Sequence, residues 1–108
     1  MKIIKVTDLE YCLNGPYIKE LTFDSEIKDN FIYYLGELGE LEYYPNFAKP
    51  FYNIEHQFEF ILKGIKGKNT TKIILCRKDI DYHFKKFKKL IEEYNFKTKE
   101  ENLPWVKN

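Results

Sequence analysis

Apolar and polar positions alternate over most of the N-terminal quarter of the chain. Lys2 to Val6 is extended by composition, and Leu9, Tyr11 and Leu13 continue the alternation or begin it anew. Asn14-Gly15 is a hairpin signal. Pro16 follows it and has no N–H to donate across a two-residue loop, so a slightly longer or irregular turn is expected at Asn14–Pro16. Tyr17, Lys19, Leu21 and Phe23 alternate with Ile18, Glu20 and Thr22, the period of a returning strand.

The period then changes from two to between three and four. Ile27, Phe31, Leu35 and Leu38 form one stripe of a first helix, with Tyr34 beside it. Asp24 or Ser25 is placed to cap it, and Glu26 and Asp29 suit the positive end of its dipole. Gly39 reads as the residue that stops it and Gly36 as a weak point in its last turn. Leu41 to Tyr44 is a short strand, ended by Pro45 and Pro50, which break a regular ladder.

A second block reads strand, turn, strand, helix. Phe58, Phe60 and Leu62 alternate with Gln57, Glu59 and Lys63. Gly64 to Asn69 supplies turn residues, and an extended apolar run follows, with its strand at Ile73–Cys76. Asp79 can cap a second helix whose stripe is Ile80, Phe84, Phe87, Leu90, Ile91 and Tyr94.

The order β-β-α-β-β-β-α predicts an α+β two-layer sandwich. Its mainly antiparallel sheet has about five strands, with both helices on one face. Residues 1–96 form one domain and residues 97–108 a polar tail. Ile18, Tyr44, Ile61, Ile65, Ile74 and Cys76 are candidates for the other sheet face. That face is apolar enough to suggest a homodimer through it.

Composition narrows the function more than it names it. The chain has 108 residues and a net charge of +1, which argues against strong non-specific attraction to nucleic acid or anionic membrane. Arg77 is the single arginine, so bidentate recognition of phosphate or guanine is poorly provided for. Cys12 and Cys76 sit in predicted strands without CxxC spacing and read as reduced, packed thiols. No signal-peptide pattern and no apolar run of membrane-spanning length occur, so a cytoplasmic location is expected.

No catalytic constellation stands out, and no cofactor is implied. There is no GxSxG, HExxH or P-loop pattern. His83 and Asp79 are four apart, but no second ligand pair supports a metal site, and His83 reads as a solvated histidine. Glu55-His56 reads as a turn dipeptide before a strand. Cys76 and His83 are near in sequence without a fixed orientation, so a metal- or thiol-dependent enzyme ranks third.

Two binding readings rank above it. The first is a non-enzymatic interaction module that meets another protein, or itself, through aromatic residues. Aromatic content is 18%, with nine Phe and nine Tyr, and Tyr and Trp carry much of the energy of protein interfaces. Its candidates are Tyr43, Tyr44, Phe47 and Tyr52 in the proline-flanked segment, and Trp105 in the tail. The plainer reading of that segment is a cover for one open end of the core. The second reading is nucleic-acid or phosphate binding. Lys63, Lys66 and Lys68 interleave with glycines in a turn, and Lys85 and Lys89 lie on the exposed side of the second helix. A solvated lysine face and an ordinary hairpin account for the same residues.

Overall fold

The computed structural model describes residues 1–101. Six strands form one antiparallel sheet: β1 (Ile3–Cys12), β2 (Gly15–Phe23), β3 (Glu40–Tyr43), β4 (Phe51–His56), β5 (Phe60–Ile65) and β6 (Thr70–Leu75). They lie in the order β1-β2-β6-β5-β4-β3. Helices α1 (Asp29–Glu37) and α2 (Ile80–Glu101) cover one face, α1 over β3 and β4, α2 over β2 and β6. The fold is therefore the expected α+β sandwich with six strands in place of about five.

The additional strand is β4. Its alternation is plain once seen: Tyr52, Ile54 and His56 are buried and face the helices. Pro45 and Pro50 do not interrupt it, because both precede its first residue. The strand read as Phe58–Leu62 begins instead at Phe60, and Phe58 stands exposed in a tight turn. β5 in turn continues through Gly64 and Ile65, which shortens the expected turn.

The first hairpin is tighter than Pro16 suggested. Cys12 pairs with Gly15, leaving a two-residue loop, Leu13-Asn14. The irregularity moves into the ladder, where Pro16 pairs with Tyr11 beside a register shift.

Neither Asp24 nor Ser25 caps α1. Its N-cap is Lys28, without a side-chain hydrogen bond. Asp24 accepts the Lys2 backbone N–H at 2.8 Å instead, which holds its carboxyl below the usual range and ties β1 to the end of β2. Leu38 is exposed at the C-cap, while Ile32 joins the buried stripe. Gly39 follows α1 for steric reasons. A Cβ there would run into the Glu55 carbonyl on the neighbouring strand. At the second helix Asp79 takes φ 64°, and its backbone carbonyl, not its carboxylate, receives the His83 N–H at 3.1 Å.

The core lies between sheet and helices. Leu21, Phe23, Phe31, Leu62, Ile73 and Phe87 are among its fully buried residues. α2 contributes Ile80, Phe87 and Ile91 from the predicted stripe, with Phe84, Leu90 and Tyr94 at its margin, and it continues past residue 96. Ile18, Ile61, Ile65 and Ile74 share the uncovered sheet face and are half-buried. A polar row, Glu20, Lys72, Lys63, Asn53 and Glu42, crosses that same face. Among the described residues, no helix is long and apolar enough to cross a membrane.

Candidate binding surface

The loop between β3 and β4 brings three rings together outside the core. The Tyr44 N–H donates to the Phe51 carbonyl at 3.1 Å and closes the loop, and Pro45 and Pro50 restrict its backbone. Tyr44 stacks on Phe47 at 5.0 Å between centroids and lies 4.8 Å from Phe51. Phe47 meets Phe51 edge-on at 5.8 Å. All three remain exposed, at 39%, 56% and 39% for Tyr44, Phe47 and Phe51. Rings that touch one another yet stay wet form a rigid apolar platform of low side-chain entropy.

The sequence candidates divide across this loop. Tyr44 and Phe47 are on the platform. Tyr43 is half-buried on the helix side, where its hydroxyl donates to Asp29 and its ring meets Tyr33 edge-on. Burial and Asp29 together push the Tyr43 phenol well above its usual range, and the hydrogen bond from Tyr43 holds Asp29 below its own. Tyr52 is a core residue at 1% exposure. Phe51, absent from the sequence candidates, completes the trio. Its signal was the β4 alternation, which sends Tyr52 inward and Phe51 outward. Trp105 lies outside the described residues.

The lysine turn adjoins the same loop. The Lys66 N–H donates to the Pro50 carbonyl at 2.9 Å, and Gly67 and Lys68 exchange backbone hydrogen bonds with Ile27. Lys66 is engaged by Asp29 at 3.3 Å. Lys68 is exposed, and Lys63 lies on the open face. Because Phe51 pairs with Ile65, Lys63 is its diagonal neighbour, at a distance long side chains span. Lys63 also stands directly opposite Lys72, a like-charge pair. Lys85 and Lys89 sit on α2, in the helix layer on the other side of the sheet. The turn and the helix lysines therefore do not form one patch.

The opposite end of the sheet holds both histidines. His56 is 7% exposed and stacks on Phe60 at 4.9 Å between centroids, so it is not a turn residue. Burial pushes its pKa down. His83 is largely buried too, with Nδ1 3.9 Å from Glu59, whose other carboxylate oxygen accepts from Lys86 at 2.7 Å. Among the described residues, the Nδ1 atoms of both histidines are buried without a hydrogen-bond partner. Gln57 and Phe58, in the turn between β4 and β5, take φ 44° and 63°, strained values for residues with side chains.

Among the described residues, no three His, Cys, Asp or Glu side chains are grouped so as to hold a metal ion. Cys12 packs at the margin of the core, and Cys76 lines a shallow groove of ≈ 230 Å³ on the open face with Phe58, Ile61 and Ile74. No family model, curated protein or solved structure matches this chain.

Proposed function

We propose that this protein is a non-enzymatic interaction module that binds a protein partner through Tyr44, Phe47 and Phe51. One observation carries the reading. Three mutually stacked rings are held by a closed, proline-flanked loop while the core is complete without them. Leaving such rings part-exposed forfeits a share of the roughly 1.5–3 kcal/mol that full burial of a Phe side chain contributes. A partner that covers the platform recovers that stabilisation. Flat aromatic anchors with neighbouring polar groups are what protein interfaces concentrate near their centres. The test compares partner retention from the native host by wild type, Tyr44→Ala and Phe47→Ala. Both variants stay folded, with stability changed by less than about 1 kcal/mol, and lose the partner. Variants that retain it overturn the reading.

A second reading draws on the bond between Lys66 and Pro50, which sets the lysine turn against the aromatic loop. Exposed rings with Lys63 and Lys72 on the same sheet face as Phe51 are the elements of a single-strand nucleic-acid surface, bases on rings and phosphates on lysines. Anisotropy of a labelled oligonucleotide, measured against salt, decides it. Binding that weakens with salt and with Lys63→Glu supports this reading. The absence of binding at low salt removes it.

A further inference from the structure

The two edges of the sheet are unequal. β3 is four residues long, and its exposed Glu40 and Glu42 repel an approaching copy of the same strand. β1 is ten residues long and leaves Ile4, Val6, Leu9 and Tyr11 exposed. Among the described residues, its outer backbone edge has no neighbour in the sheet order. An open, apolar edge of this length is a template for another strand.

The charges along β1 say which strand. Lys5 lies toward its start and Glu10 toward its end. Both are exposed, and among the described residues neither has an ion-pair partner, whereas the intervening Asp8 is held by Lys19 at 2.7 Å. A basic first half followed by an acidic second half is complementary to itself when the strand is reversed.

The β-bulge makes that complementarity geometrically usable. In a regular strand, residues five apart point to opposite faces, so Lys5 and Glu10 could not meet across an antiparallel pair. Here Lys5 pairs with Thr22 and Glu10 pairs with Ile18; of the three register shifts in this ladder, at Ile3–Lys5, Asp8–Glu10 and Glu10–Tyr11, only the middle one lies between them. Thr22 and Ile18 alternate with buried Leu21 and Lys19, so both belong to the open face. Directly opposed residues share a face, so Lys5 and Glu10 point the same way. The bulge, usually a device against edge pairing, here restores the register that self-pairing needs.

We infer that β1 pairs antiparallel with β1 of a second copy of this chain, forming one continuous sheet with Thr7 on the two-fold axis. Lys5 of each copy faces Glu10 of the other and Val6 lies opposite Asp8, while Ile4, Leu9 and Tyr11 flank the junction. The edge suits self-association better than the open face does, because the polar row from Glu20 to Glu42 divides that face.

Sedimentation velocity over a concentration series tests it with the full chain. Wild type shows a concentration-dependent dimer. Lys5→Glu and Glu10→Lys each weaken the dimer about tenfold, and the double swap restores it. Both residues are exposed and, among the described residues, unpaired, so the variants keep the wild-type circular dichroism spectrum. A monomer at every concentration overturns the inference. So does a dimer indifferent to the single reversals, or a folded double swap that fails to recover.

Discussion

Tyr52 on β4 reaches Thr71 on β6 by lying over Gly64 of the strand between them. The phenol donates to Thr71 Oγ1 at 2.8 Å, and Thr71 in turn donates to the Lys63 carbonyl at 2.9 Å. Tyr52 pairs with Gly64, and Gly64 with Thr71, so the ring crosses one strand to hydrogen-bond the next. A Cβ at Gly64 would lie 2.8 Å from Tyr52 Cζ and closer still to the hydroxyl. Gly64→Ala therefore destabilises the fold by about 1–3 kcal/mol, the usual cost of overpacking. Tyr52→Phe costs about 1 kcal/mol for the lost hydrogen bond. In the double variant the missing hydroxyl relieves part of the clash, so urea unfolding gives a cost below the sum of the two single costs.

The same tyrosine makes the fold sensitive to alkali. Burial pushes the Tyr52 phenol up to about 12. In the unfolded chain a phenol ionises near its ordinary value of about 10. The stability Tyr52 contributes is full below that value and is lost as pH rises from there through about 12. Unfolding midpoints measured across this range fall steeply for wild type. Tyr52→Phe falls less but still falls, because the Tyr43 phenol is raised as well.

His56 imposes the opposite limit. Its pKa is lowered, first by burial and further by Lys86, against the opposing pull of Glu59. The unfolded chain therefore binds a proton before the folded one does. Stability is full above the ordinary histidine value, about 6.5, and declines as pH falls from there through the lowered one. His56→Leu removes that component of the acid decline, whatever it does to the baseline, as a pH series of thermal melts will show.

Two phenylalanines separate core from surface. Phe31 is 1% exposed, and it packs edge-on against Phe23 and Tyr94. Phe31→Ala costs about 3–5 kcal/mol. Phe47 touches only rings that are themselves exposed, among its aromatic neighbours, and Phe47→Ala changes stability by less than about 1 kcal/mol. Chemical denaturation of the two variants measures the difference directly.

Much of the fold was legible because amphipathic period survives without context. The α2 stripe from Ile80 to Tyr94 and the β2 alternation read directly from the chain. β4 was hidden by its neighbours: Pro45, Pro50 and five rings between Tyr43 and Tyr52 look irregular until Tyr52, Ile54 and His56 are taken as one inward face. Phe58 misled for the opposite reason, since its spacing from Phe60 and Leu62 fits a strand while the strained turn places it in solvent. Asp24 resembles a cap in sequence, and only the approach of β1 shows that it serves Lys2. Of the binding surface, Tyr44 and Phe47 were legible as unusual, but the division of Phe51 from Tyr52 required the strand.

The binding surface itself is tested most directly by a photoreactive phenylalanine analogue at position 47, with position 89 on α2 as control. After irradiation in the native host, position 47 yields a discrete crosslinked protein and position 89 does not. Recovery of the same species when Tyr44→Ala is added would contradict the account, as would crosslinks of equal yield from both positions or from neither.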